Sequence, residues 1–558
     1  MRSVCKFIRQ WGPSLKRRWR LLLAVLALLG VAVAIVLLRP DQGERIAQLR
    51  QEANTYLVVT REGLLPALAP WQAHREKQGF QVSIRAFAEA PTVEEIRTWI
   101  AAENRKHRCR YILLVGDCAA LVESDAAWHL PSISGPLGYP YEGETKAIVT
   151  DAPYGDLDRD GREEVAVGRL PVRDTDQLRL LIDKLIQFEE RPVEPSFYRA
   201  VLLTGAKYYH APMHRLTLQF AEQMLPDYLY PQLISSNPAS ACSGPLEEQP
   251  RRFLEALSEP AFITLVVTHG SYNNLRAAQR EDNTEIPLTV AAVSAGLPST
   301  QALGPLMLLA CETGSFYLPS AKGPSISEAF LLHPGGPVAV VASTGIVNAL
   351  TNFYMAGAIA QNMKTGKAAT IGDLLLDSRL WLHQVGKYSL DQIRRHDPRA
   401  RGLLQSIPVD DKEFFETKGL IRNERLHYNL IGDPGLRFNR PLPMTVQARA
   451  DDHARIRLSG ATPPAAENLW VQQIDPDRLQ ATVPVEASDD QRRAFFRQAH
   501  EPPQLLALQQ LNGRPWEVAL EVKQLQENAG RIIRVMTMGQ GRCYYKTLAW
   551  PLQPQEAN

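Results

Sequence analysis

Paired cysteines, a glycine-rich phosphate loop and a basic face are all missing from this 558-residue sequence. The six cysteines are Cys5, Cys109, Cys118, Cys242, Cys311 and Cys543, and no two have the short spacing of a zinc site. Cys109 and Cys118 bracket an apolar strand that holds its two ends too far apart for a bridge, so disulfides are open to the chain but not predicted. No G-x-G-x-x-G follows a predicted strand, which argues against a Rossmann oxidoreductase. Acidic residues are absent from residues 1–40, which hold eight of the 62 Lys and Arg. The rest of the chain is therefore mildly acidic and lacks the electrostatic footprint of a nucleic-acid binder. Apolar runs long enough to cross a bilayer are scarce as well, with one candidate at the amino terminus.

That run, Leu21 to Leu38, is 18 residues without a charge. It is preceded by Arg2, Lys6, Arg9, Lys16, Arg17, Arg18 and Arg20 and followed by Arg39-Pro40-Asp41. The positive-inside rule keeps residues 1–20 in the cytoplasm and sends everything after Pro40 outside. The competing possibility is a cleaved signal peptide, but the run is long for one and lacks a small-x-small site before Arg39. The sequence thus predicts a signal anchor over 21–38, a linker over 39–55 and an extracytoplasmic body, periplasmic or at the cell surface.

The body begins as βαβαβ. YLVVT from Tyr56 is a strand, Leu64 to Gln78 a helix stopped by Gly79, FQVSIRAF a strand, Val93 to Asn104 a helix capped by Thr92, and YILLVGD a strand. This pattern implies a parallel α/β layer with right-handed crossovers. A second αβ series starts at RAVLLTGA, and a boundary at Pro192 divides the body into 56–192 and 193–440. Between Asp151 and Arg169, the residues Asp156, Asp158 and Asp160 alternate before Gly161 as in the first part of an EF-hand loop, but Val167 stands where the closing Glu belongs. An acidic turn and a calcium site are both open there. The closing GDPGLRF reads as a tight turn before a last strand. After Pro441-Leu442-Pro443, short alternating segments predict a small β-sandwich over 441–558.

Chemistry concentrates between Phe262 and Phe316. FITLVVTHGS and PLMLLACETGSF are continuous apolar runs of strand length, as expected of parallel strands covered on both faces, and they end in His269 and Cys311. Adjacent parallel strands lie about 4.8 Å apart, and ligands of open α/β sheets bind at their carboxyl ends. An imidazole and a thiol delivered there form an acyl-transfer pair, with the amides of Gly270 and Cys311 placed to bind an oxyanion. Taken singly, a His-Gly after a strand is a turn and an Ala-Cys at a strand end is a buried thiol.

Together and in this order, the two blocks resemble the signature of caspase-like cysteine peptidases. Within that group the chain is similar to the gingipain family, peptidase family C25, over about Tyr56 to Phe438. The similarity includes YLVVTREGLLPALAPWQAHREKQGFQV, YILLVGD, the segment Asp151 to Glu189, VAVVASTG from Val338 to Gly345, and NLIGDPGLRF. The resemblance implies a caspase-like parallel-sheet α/β sandwich in two subdomains with an immunoglobulin-like module behind it. It also implies Cys311 as nucleophile, His269 as proton donor, no cofactor for the chemistry, and a structural calcium at Asp156, Asp158 and Asp160. Protein or peptide is the substrate it implies, with Tyr208, Tyr209, His210, His214, Ser343 and Thr344 around the pocket. One departure stands out. Gingipains that cut after Arg or Lys place an acid after the first strand of the second half, whereas Gly205 to Arg215 here reads GAKYYHAPMHR and has none. A guanidinium buried without a carboxylate costs several kcal/mol, so a neutral residue is expected at the cleavage position. Transpeptidation through the same dyad and a catalytically silent surface scaffold are the rival functions.

Overall fold

The computed structural model describes residues 52–558 except 119–125, 142–143, 206–213, 215–216, 219, 222–224, 299–302, 320–321, 389–391, 394, 396, 398–419, 453–454, 476, 485, 522–531, 541 and 550–558. The expected anchor over 21–38 and most of the linker lie outside the described residues. Among those described, no helix is long and apolar enough to cross a membrane.

Thr55 onward forms one compact unit. Its first part carries β1 (Thr55–Arg61), α1 (Ala69–Lys77), β2 (Gln81–Phe87), α2 (Val93–Lys106), β3 (Cys109–Val115), β4 (Ala166–Leu170) and α3 (Thr175–Glu190). The second part carries β5 (Arg199–Thr204), β6 (Tyr230–Ser235), α4 (Gln249–Leu257), β7 (Ile263–Val267), β8 (Asn274–Gln279), β9 (Glu285–Thr289), β10 (Leu306–Leu309), α5 (Ile326–Leu332), β11 (Ala339–Ser343), α6 (Ala349–Thr365), α7 (Ile371–Val385), α8 (Leu420–Glu424) and β12 (Tyr428–Gly432). Ten of these strands make a single, mostly parallel sheet in the order β2-β1-β3-β4-β12-β11-β10-β7-β5-β6. Strand β12 joins the two parts, running antiparallel to β11 and meeting β4 at Ile431 and Arg169.

The strand pattern follows from burial on both faces. Successive side chains of a strand point to opposite sides. In β1, Tyr56 and Val58 enter the core shared with Trp71 and Leu178, while Leu57 and Val59 enter the one shared with Ile96 and Ile100 of α2. Such a strand cannot alternate with polar residues, which is why it reads as one apolar run. Helix α2 starts where Thr92 caps it, with a reciprocal bond from Glu95 closing the capping box.

Two local expectations change. The helix expected over Leu64 to Gln78 begins as a 3-10 turn, Glu62–Leu68, and becomes α-helical only at Ala69. Pro66 sits inside that turn and has no N–H for an α-helical bond. The GDPG turn follows a strand instead of preceding one, and Arg437 beyond it makes only an isolated bridge with Thr370. Cys109, Cys118, Cys242, Cys311 and Cys543 are all free thiols.

Beyond residue 440 lie β13 (Gln447–Asp452), β14 (Arg455–Gly460), β15 (Asn468–Ile474), α9 (Asp489–Ala499), β16 (Gln504–Gln510), β17 (Trp516–Glu521), β18 (Ile532–Gly539) and β19 (Arg542–Ala549). They build two sheets, β13-β14-β17 and a larger one in which Leu442–Pro443 precedes β19-β18-β15-β16. Leu458, Val471, Trp516 and Val535 fill the core of this module. Helix α9, between β15 and β16, departs from the all-strand expectation. It is amphipathic and capped by Ser488, and its Arg493 reaches Glu248 of the main body 2.8 Å away.

Candidate active site

Strands β7, β10 and β11 end level with one another. Val267 pairs with Leu309, and Leu308 pairs with Ala342. His269 and Cys311 therefore sit at equivalent positions, each two residues beyond the last paired residue of neighbouring parallel strands. Both are half-buried. The His-Gly turn lies directly on the Ala-Cys turn: a Cβ placed on Gly270 would come within 2.7 Å of Thr313 Cγ2 and 3.0 Å of the Cys311 carbonyl oxygen. Only glycine allows that approach.

Past Cys311 the chain turns sharply, with Glu312 in the left-handed region at φ 56°. A non-glycine residue there stores strain, and neighbouring bonds hold it in place. The Glu312 N–H donates to the Gly345 carbonyl at 2.9 Å, and the Gly314 N–H to that of Ser343 at 2.7 Å. The Tyr317 hydroxyl donates to the Thr344 carbonyl at 3.3 Å. The Cys311 thiol itself donates to the Val347 carbonyl at 3.4 Å. The turn carrying Cys311 is thus stitched to residues 343–347 after β11.

The electrostatics keep both groups uncharged at neutral pH. Burial lowers His269 to about 4, with the Arg276 cation adding to the effect and Glu285 opposing it. Burial pushes the Cys311 thiol up to about 11, helped by the nearby carboxyls of Glu424 and Glu312. Arg276 lies on β8, its N–H bonded to the His269 carbonyl at 2.9 Å, and its guanidinium forms an ion pair with Glu285 of β9.

The residues expected around a pocket fare differently. Tyr208, Tyr209 and His210 lie outside the described residues. His214 is buried, with Nδ1 2.9 Å from the Ser235 hydroxyl at the end of β6. Ser343 and Thr344 are buried too, their hydroxyls donating to the carbonyls of Gly345 at 2.7 Å and Val149 at 2.6 Å. Those side chains turn inward and are taken up by backbone carbonyls.

Asp156, Asp158 and Asp160 do come together, and a fourth carboxylate that sequence reading missed joins them. Glu164 brings all four ligand oxygens within 4.8 Å of one another. Counting from Asp156 it is the ninth position of the loop, where an EF-hand also draws a ligand, and that spacing was the available signal. Burial and the surrounding aspartates raise Glu164 to about 7, although the Arg162 guanidinium pairs with Asp160 in the same loop. A hard divalent cation with oxygen ligands would relieve this crowding.

A second missed residue is Glu424, fully buried beneath the loop that meets Cys311. Its Oε2 accepts from the Asn348 N–H at 3.2 Å and from the Thr351 hydroxyl at 2.6 Å. It comes from a charged stretch with no motif, so no local pattern marked it.

A mostly parallel α/β sheet with His and Cys at adjacent strand ends defines a class of cysteine hydrolases. Residues 50–439 match the model of peptidase family C25. The chain belongs to that family and is a cysteine-type peptidase. Among curated proteins none matches it in sequence. In structure it is similar to the Arg-specific cysteine proteinase gingipain R, with 14% identity, a TM-score of 0.48, and coverage of 89% of this chain and 98% of that one. A complex of the pro- and mature domains of RgpB from Porphyromonas gingivalis gives 14% identity, a TM-score of 0.48, and coverage of 89% and 99%. A structure described only as a protease gives 16% identity, a TM-score of 0.50, and coverage of 89% and 97%, which supports a shared fold.

Proposed function

We propose that this protein is an endopeptidase, anchored in the membrane by residues 21–38 with its body on the extracytoplasmic side, that cuts peptide bonds with Cys311 and His269. The observation that carries the catalytic assignment is the common register of the two strand ends, with Gly270 packed against Cys311. As the sulfur attacks the scissile carbonyl carbon, the thiol proton passes to the His269 imidazole and a C–S bond forms. The N–H groups of Gly270 and Cys311 hold the oxyanion. Collapse breaks the C–N bond, the imidazolium gives its proton to the departing amine, and water then hydrolyses the thioester. Because both groups rest uncharged, the proton moves during attack and not before it.

The acidic cluster of Asp156, Asp158, Asp160 and Glu164 is assigned a structural calcium ion, away from the reacting atoms. Protein or peptide is the substrate. The lack of any acid in the sequence from Gly205 to Arg215 favours a neutral side chain at the cleavage position.

The test uses the full chain and a thiol-directed peptide probe. Cys311→Ala is expected to abolish labelling and cleavage with the fold intact, and His269→Ala to remove nearly all turnover. Full activity in Cys311→Ala would refute the assignment.

A further inference from the structure

The loop 343–348 lies between the Cys311 turn and the segment 424–429. From below, the Thr344 N–H donates to the His427 carbonyl at 2.9 Å, and the His427 ring packs against Gly345 so closely that a Cβ there would meet it at 2.2 Å. Asn348 caps α6, bonding the Thr351 N–H at 2.9 Å. One carboxylate oxygen, Glu424 Oε2, gathers the Asn348 N–H, the Asn348 side-chain amide and the Thr351 hydroxyl. The other, Oε1, is buried with no hydrogen-bond partner. The carbonyl of the next residue back, Val347, is the one that receives the Cys311 thiol.

We infer that Glu424 is a positioning residue for the nucleophile: it fixes the start of α6, and through the Val347 carbonyl it sets where the Cys311 sulfur lies. This rests on the assignment of Cys311 as nucleophile. A buried carboxyl with one orphaned oxygen is costly to keep for packing alone, since an apolar side chain would fill the space without that cost. The groups facing it are few. Tyr428 comes from its own segment and Cys311 from the turn after β10, while α6 presents the neutral Asn348 and Thr351. Neighbouring Arg425 turns instead to Glu163 and the Gly161 carbonyl. No cation among the described residues acts on it, and burial raises Glu424 to about 8. Below that pH the neutral acid holds the loop. Above it, a desolvated carboxylate forms beside Cys311 and opposes the thiolate that the reaction develops.

Two variants and one control test this on the full chain with a fluorogenic peptide. Glu424→Ala is expected to lower kcat by about a hundredfold, the scale of a misplaced reacting atom, with KM nearly unchanged. Glu424→Gln, which keeps the shape of the neutral acid, is expected to recover most of that loss and to remove the fall in activity expected of the wild type above pH 8. Alkylation of Cys311 followed by mass spectrometry is expected to give a lower apparent thiol pKa in Glu424→Gln than in the wild type. If Glu424→Ala does not fold, the Gln variant decides. Wild-type alkaline behaviour and alkylation in Glu424→Gln would overturn the inference. Activity in Cys311→Ala would instead overturn the assignment beneath it.

Discussion

The guanidinium of Arg75 meets the carboxylate of Asp433 at 2.8 Å, both side chains fully buried although 358 residues separate them. Arg75 lies on α1 and Asp433 in the turn that closes β12. Tyr56 and Trp71 also bond Asp433, and Arg75 reaches on to Glu189 at 2.8 Å. The pair ties the first helix of the body to the turn after β12, and Tyr56 adds the first strand. Removing one partner leaves a buried charge uncompensated, so Asp433→Asn and Arg75→Met should each cost about 3–5 kcal/mol. Urea unfolding of the protein checks this, and a loss below about 1 kcal/mol would show the network to be dispensable.

The same network sets an acid limit. Burial opposes ionisation of Glu189, but Arg75 and the bonds from His74, Gln78 and the Arg437 N–H outweigh it and hold the group at about 2. A carboxyl depressed in the folded state contributes stability above its unfolded pKa and loses it as pH falls. A second group acts at higher pH. His427 has both ring nitrogens buried without partners, and burial lowers it to about 4. The unfolded chain binds that proton near pH 6.5, so the contribution of the neutral ring is complete above 6.5 and is lost as pH falls through 4. Its size is on the order of 3 kcal/mol. His427→Leu should flatten the stability profile between pH 6.5 and 4, measured by urea midpoints at each pH. A profile as steep as the wild type would assign the acid sensitivity elsewhere.

The carboxyl-terminal module is expected to be inseparable from the catalytic body. Arg534 of β18 is fully buried and donates to the carbonyls of Tyr198 at 3.2 Å and Tyr228 at 2.8 Å. Backbone bonds join Ala241 to Ala481 and Val483 to Ala239 at 2.9 Å each. Arg534→Leu removes the side-chain donor of the Tyr228 carbonyl, at about 1–3 kcal/mol, while the Tyr198 carbonyl keeps its bond from the Tyr230 N–H. Limited proteolysis of a chain ending at residue 440 should show rapid digestion of the body, and a resistant core of full size would contradict this.

Cleavage should favour a neutral residue before the scissile bond. Gly205 to Arg215 contains no acid, and Glu285, the acid whose charge acts on His269, is already paired with Arg276. Asp282 accepts from the Thr284 N–H at 2.9 Å within its own turn. A positional-scanning peptide library reads the preference directly. Dominant cleavage after Arg or Lys would reveal an acidic pocket.

The seven basic residues before Leu21 lead to the expectation of a cytoplasmic amino terminus with the body outside. Protease added to intact spheroplasts should digest the region beyond Pro40 and spare the amino terminus. Protection of the large body would reverse the topology.

The strand ends carrying His269 and Cys311 were legible in the sequence, because strands buried on both faces appear as unbroken apolar runs and their termini are marked by the first polar residue. Asp156, Asp158 and Asp160 were visible for a similar reason, being carboxylates drawn from one short loop. Glu164 lay within reach of that pattern. Glu424 did not, since its role exists only once α8 is folded under the start of α6, and nothing near position 424 records a partner at 348. The inward turn of Ser343 and Thr344 also needed the tertiary structure, because their acceptors at Gly345 and Val149 depend on which loop crosses beneath them. Local pattern determined the strands, helix starts and the chemistry-bearing turns of this chain through periodicity and capping. Contacts across hundreds of residues, such as Arg75 with Asp433, were decided by the order in which ten strands pair, and the energy that selects that order comes from burying both faces of the sheet at once.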